Sequence, residues 1–200
     1  MKKKAKITIQ TTNNIEIARH VRQILSLLGE NVERDGLKET PLRVTKMYQE
    51  IFSGYNIDPK SVFKTFNSDG YEGVVMVSDI GFHSMCEHHM APFFGKVHIG
   101  YMPNGKIMGL SKFARLVEIF SRRLQVQERI TKQIADSIME NLHPLGVIVY
   151  IEAEHMCMTM RGVKKNGTVT KTMKMFGVFK KDHYLTDQFI RQINSNLREN

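Results

Sequence analysis

The sequence predicts a single-domain α+β fold on three observations. Apolar residues recur at helical spacing in the first quarter and again in the middle, strand-like runs flank that middle stretch, and turns rich in Gly, Asn and Pro separate the segments. At 200 residues the chain suffices for one sizeable core. With 42% hydrophobic and 24% charged residues it reads as globular rather than disordered. No apolar run approaches the roughly 18 residues that span a bilayer, and the basic start "MKKKAKITIQ" lacks the apolar stretch of a secretory signal. The expectation is a cytoplasmic protein without a membrane partner.

Residues 1–14 are polar and read as a flexible arm, 15–200 as the domain, with N-terminal helices at 15–55 and a core at about 73–180. Ile17, Val21, Ile24, Leu25 and Leu28 form the first helical stripe, which Gly29 ends. In "ETPLRVTKMYQEIFSGY", Thr40 reads as an N-cap, Pro41 as the first helical residue and Gly54 as the stop. "EGVVMVSD" reads as a short buried strand, and "GKVHIGYMPNGKIMG" as two strands joined at Pro103, Asn104 and Gly105. Two amphipathic helices follow. One starts near Ser111 and buries Phe113, Leu116, Val117 and Phe120; the other carries Val126, Ile130, Ile134 and Ile138 to "HPLG". The last third returns to strands, "GVIVYIEAEHMCMTMRGV" and "TVTKTMKMFGVFK", with Asn166-Gly167 as the hairpin signal. The order after the first helices is hairpin, two helices, hairpin.

Lysine and arginine outnumber acids 29 to 20, for a net charge of +9, which favours an anionic partner without choosing among nucleic acid, an acidic surface and a phosphorylated small molecule. A solvated basic surface explains the charge equally well. The two cysteines, Cys86 and Cys157, each have histidine within three residues, in "CEHH" and "EHMC". In a reducing compartment that pattern signals metal or catalysis before it signals a disulfide.

Zinc prefers thiolate and imidazole, and a catalytic zinc site usually keeps three protein ligands and one open position. Cys86, His89 and Cys157 supply such a set, and an open position would bring bound water to a pKa of about 7. His88 and His155 are then free to give or take protons. Two alternatives stand beside this: a closed Cys2His2 structural site completed by His88 or His155, and surface histidines near merely buried thiols. If the strand through His155 stays regular, His155, Cys157 and Arg161 lie on one face with Ile151 and Ala153.

Ser111, Lys112 and Arg115 fall in the first turns of a helix, where free N–H groups and the positive dipole end favour phosphate oxygens. Arg43, Lys46 and Arg161 add to a set that fits a polyphosphate, although each alone reads as a surface charge. "GYMPNGKI" imitates a phosphate-binding loop, but Ile107 stands where a hydroxyl should bind Mg²⁺. Gln127 and Glu128 read as a helix-initiating polar pair, and a carboxylate there can accept the paired N–H groups of guanine.

Taken together, "RDGLKETPLRVTKMYQEIFSGY", "CEHHMAPFFGKVHIGY", "GLSKFARLVEIFSRRLQVQER" and "EHMCMTMRG" resemble GTP cyclohydrolase I over most of positions 33–180. The resemblance implies conversion of GTP and water to 7,8-dihydroneopterin triphosphate and formate, for folate or pterin synthesis. It implies Zn²⁺ on Cys86, His89 and Cys157, with His88 and His155 as acid/base residues, Ser111 in later proton transfers and Gln127 counted with them among the catalytic residues. Gln127 and Glu128 would lie by the purine, with Glu128 its anchor, and Lys112, Arg115, Arg161, Arg43 and Lys46 would hold the triphosphate. It also implies the tunnelling fold, an antiparallel sheet closing an oligomeric barrel, in a homodecamer with sites between subunits. The tail "TDQFI" and the basic, methionine-rich "TKTMKMFG" depart from the family pattern, as does Leu124 where some relatives have proline. Competing readings are another purine or pterin enzyme of that fold and, further off, a basic zinc module on nucleic acid, for which no groove-entering or stacking motif is visible.

Overall fold

The computed structural model describes residues 2–196, with side chains described for 13–194. Most of the expected arm at 1–14 lies outside those side chains. The chain divides into two compact units, one ending at Ser53 and the other beginning at Gly54.

The first unit packs α1 (Lys2–Leu27) on α2 (Thr40–Ile51). Ile17, Val21 and Leu25 are half-buried as the helical spacing requires, but Ile24 and Leu28 are 56% and 74% exposed, so the apolar stripe is narrower than expected. Gly29, at φ +88°, turns the chain out of the helix. The N-cap of α2 is Glu39, not Thr40. The Thr40 hydroxyl donates to the Gly36 carbonyl at 3.3 Å and so does not cap. Nor does Gly54 stop α2, which ends at Ile51. Its role belongs to the second unit, where a Cβ on Gly54 would lie 2.2 Å from the Ile119 carbonyl oxygen.

The second unit contains β1 (Thr65–Asn67), β2 (Val75–Cys86), β3 (Pro92–Met102), β4 (Lys106–Met108), α3 (Leu110–Ser121), β5 (Leu124–Gln125) and α4 (Gln127–Leu142), then β6 (Gly146–His155), α5 (Met156–Thr159), β7 (Val169–Gly177), α6 (Val178–Lys181) and α7 (His183–Asn196). The fold is mixed α and β, and the hairpin, helix pair, hairpin order holds. The main sheet runs β5-β2-β3-β6-β7, antiparallel except for the short β2–β5 pairing.

The first hairpin is β2–β3, not the one expected across Pro103–Gly105. β3 already has β2 and β6 on its two sides, so β4 pairs with β1 instead. β2 also outruns its expected end at Asp79. A bulge between Val77 and Ile80 absorbs Asp79 at φ +57°, and the Asp79 N–H donates to His98 Nδ1 at 3.3 Å. Beyond the bulge the strand continues to Cys86.

The inner faces of α3 and α4 bury Phe113, Leu116, Val117, Ile130, Ile134 and Ile138 against Val97, Ile99, Val147, Val149 and Ile151 of the sheet. A smaller cluster of Ile148, Phe179, Phe189 and Ile193 joins α6 and α7 to β6. This alternation along β6 explains why its sequence reads as continuously apolar: both faces are covered.

Candidate metal centre and active site

β2 ends at Cys86, which the short parallel pairing to Gln125 of β5 holds in place. The Gln125 amide is itself buried, donating to Phe120 O at 2.9 Å and Gln133 Oε1 at 2.8 Å. The chain then turns back on itself within five residues. Cys86 N–H donates to Ala91 O and Met90 N–H to Cys86 O, both at 2.8 Å, and Met90 takes φ +49° to close the turn. Glu87 braces it from outside, through a two-point ion pair with Arg129 of α4 at 2.5 and 3.0 Å. His88 and His89 project from this turn, exposed, while Cys86 is buried.

β6 ends opposite, at His155, because its β3 partner ends there too: Pro92 has no N–H to continue the ladder. The chain coils into α5, so Cys157 sits on a helical turn and not on a strand. The regular row expected for His155, Cys157 and Arg161 therefore does not form. The coil instead swings Cys157 inward, and the ligand atoms of Cys86, His89 and Cys157 all lie within 4.8 Å of one another. Ligands on one zinc ion at about 2.0–2.3 Å sit within roughly 4 Å of each other, so little closing is needed. Both thiols are free, and burial, with the Cys86 thiol alongside, pushes Cys157 up from its ordinary value. A divalent cation removes that obstacle to ionisation, so this donor set fits a metal ion. Arg161 Nη1 reaches His89 Nε2 at 2.9 Å, an atom it cannot share with an ion.

His155 is half-buried and held on two sides. Its ring stacks on Phe93 at 4.6 Å with the planes 4° apart, and Nε2 lies 2.9 Å from Gln127 Oε1. Burial lowers its pKa, with Glu128 acting in the opposite direction, so the ring is neutral near pH 7 and able to accept a proton. His88 has a weaker tether, Nδ1 to Cys86 Sγ at 3.7 Å.

The family model of GTP cyclohydrolase I matches residues 17–194. This chain belongs to the GTP cyclohydrolase I family. Similar curated proteins include GTP cyclohydrolase 1 of Bacillus subtilis, 55% identical over 87% of this chain and 92% of that one. The same enzyme of Streptococcus gordonii is 54% identical over 87% and 94%, and that of Caldanaerobacter subterraneus 51% over 90% and 96%. Among solved structures, the archaeosine synthase QueF-Like in the apo form aligns with 54% of this chain and 96% of its own, at TM-score 0.43 and 14% identity.

Other family-implied residues are more scattered. Gln127 and Glu128 open α4 at the metal end of the sheet, Glu128 exposed and Gln127 1% exposed. Ser111, Lys112 and Arg115 start α3, whose other end leads through Leu124 to Met85 beside the metal turn. At about 1.5 Å per residue Ser111 and Lys112 stand roughly 14–15 Å of helix away from that end, and Arg115 about 9 Å. Arg43, ion-paired to Glu39 at 2.7 Å, and exposed Lys46 belong to the first unit. Sequence reasoning missed Glu87, Arg129 and Phe93. The first two are surface charges until the fold pairs them, and Phe93 looks like any core aromatic.

Proposed function

We propose that this chain converts GTP and water to 7,8-dihydroneopterin triphosphate and formate, in folate or pterin synthesis. One observation carries the reading: two thiols and an imidazole converge within 4.8 Å beside a histidine of fixed orientation. Cys86, His89 and Cys157 would hold Zn²⁺, which when bound supplies a Lewis acid that makes hydroxide available near neutral pH. His88 protonates the imidazole portion of the base. His155 assists opening of the ribose ring, and Ser111 serves proton transfers as the sugar carbons rearrange. Glu128 accepts the guanine N–H pair. Lys112, Arg115 and Arg161, with Arg43 and Lys46, bind the triphosphate, in keeping with a net charge of +9.

The active form in this reading is a homodecamer of the tunnelling fold with sites between subunits. Two features support it. Among the described strands, β7 pairs only through β6 and the first half of β2 only through β3, leaving free edges at both sides of the sheet. Second, the metal cluster and the start of α3 lie at opposite ends of that helix, so a neighbouring copy can bring a Ser111–Arg115 set to this chain's cluster. The two free thiols suit a cytoplasmic location. Among the described residues no helix is long and apolar enough to cross a membrane.

Incubating zinc-loaded protein with GTP and following formate, and a fluorescent pterin after oxidation, tests the reading. Intact GTP in the presence of folded, zinc-loaded oligomer would refute it.

A further inference from the structure

Gln127 is a polar side chain 1% exposed, and all four of its amide contacts are accounted for. Nε2 faces the carbonyl oxygens of Ile151 at 3.1 Å and Thr170 at 3.0 Å, and Thr172 Oγ1 at 3.1 Å. Backbone carbonyls only accept, so the amide nitrogen must point at them and the amide oxygen must point at His155. The Thr172 contact closes a ring. Thr131 Oγ1 donates to the Gln127 carbonyl at 2.8 Å, leaving it to accept from Thr172 Oγ1 at 2.7 Å, which in turn accepts from Gln127 Nε2. α4, β6 and β7 thus clamp one amide in one orientation.

An amide oxygen cannot donate. The His155 nitrogen 2.9 Å away must therefore carry the hydrogen, and the ring cannot rotate away because it lies flat on Phe93. We propose that Gln127 is a positioning residue, fixing His155 as the tautomer with hydrogen on Nε2 and leaving Nδ1 as the only ring atom that exchanges a proton with substrate. This rests on the reading of His155 as an acid/base residue. Gln127 then touches neither the metal nor the reacting atoms, and works through His155 alone.

The test is a double-mutant cycle on the zinc-loaded oligomer, with Gln127→Met, His155→Ala and the double variant. Gln127→Met should lower kcat roughly tenfold to a hundredfold, the usual range for a partner that orients a functional histidine, with KM for GTP and zinc content unchanged. In the His155→Ala background the same change should cost nothing further. Equal losses in both backgrounds, or a loss expressed in KM, would overturn the proposal. If His155→Ala itself leaves turnover intact, the acid/base reading fails instead, a distinct outcome. Should Gln127→Met fail to fold, two measurements still decide. Thr172→Val, which opens the ring without touching His155, should lower kcat by a smaller factor. The ¹⁵N shifts of ring-labelled wild-type protein, assigned with His155→Ala, should show a protonated Nε2 and bare Nδ1; the reverse pattern refutes the assignment.

Discussion

The two arms of the site are held in different ways. The His155 arm is locked from within the protein, by a stacked ring and a buried amide that is itself held by backbone carbonyls. The turn carrying Cys86, His88 and His89 is held by two short backbone bonds, a positive-φ methionine and an exposed ion pair. Its Cys86 and His89 come within 4.8 Å of Cys157 on the other arm, and the Arg161 guanidinium lies against the His89 ring at Nε2. The His155 ring is thus fixed by folding from the protein interior, whereas the turn bearing Cys86, His88 and His89 is held mainly by its own backbone and an exposed ion pair. A histidine that must present one nitrogen needs a fixed acceptor at the other, while thiols and an imidazole need only to be gathered, since coordination bonds are far stronger than the contacts that hold the turn.

Removing a ligand should break this contrast most severely. Cys157→Ser should abolish tight zinc retention and lower turnover to near background, as should chelation of the wild-type protein; metal analysis and product formation check both. Normal zinc content and rate would remove Cys157 from the ligand set. Next in size, His155→Ala should cost about 10²–10⁴-fold in kcat with zinc retained, because only proton transfer is lost. Loss of zinc in that variant would erase the distinction between the arms.

A smaller effect tests the outer brace. Glu87→Gln weakens an ion pair whose side chains are 33% and 43% exposed, so global stability should change little. Zinc should nevertheless dissociate severalfold faster, as measured by transfer to a competing chelator. An unchanged off-rate would show that the turn needs no brace.

The smallest effect is in a fourth histidine, outside both arms. His98 is 1% exposed, its Nδ1 accepts from Asp79 N–H, and Nε2 stands 3.8 Å from Glu152 Oε1. Burial lowers its pKa, outweighing Asp79 and Glu152, which raise it. The unfolded chain therefore binds this proton first. The stabilisation is complete above the ordinary histidine pKa of about 6.5 and falls as the pH drops from there toward the lowered folded value. Thermal unfolding from pH 8 to 5 should show that loss, and His98→Gln should flatten it; identical slopes would clear His98 of the effect.

The element types were legible because helical and strand periodicities are local. Phe113, Leu116, Val117 and Phe120, and Ile130, Ile134 and Ile138, are buried where their spacing put them. Strand partners were not legible. Nothing in "GYMPNGKI" reveals that β3 has no free side for β4, and nothing in "VSDIGF" announces a bulge until His98, nineteen positions away, accepts the Asp79 N–H.

Residue chemistry put Cys86, His89 and Cys157 forward as one candidate ligand set beside a closed Cys2His2 alternative, because so few side chains bind zinc well and the chain has only two thiols, and the fold brings those three together. Distance along the chain says nothing of orientation, however. That Cys157 leaves the strand on a helical turn, and that Gln127 faces His155, depends on where β3 runs out at Pro92 and on which carbonyls surround the amide. Such facts arise from long-range pairing and burial, which no local pattern encodes.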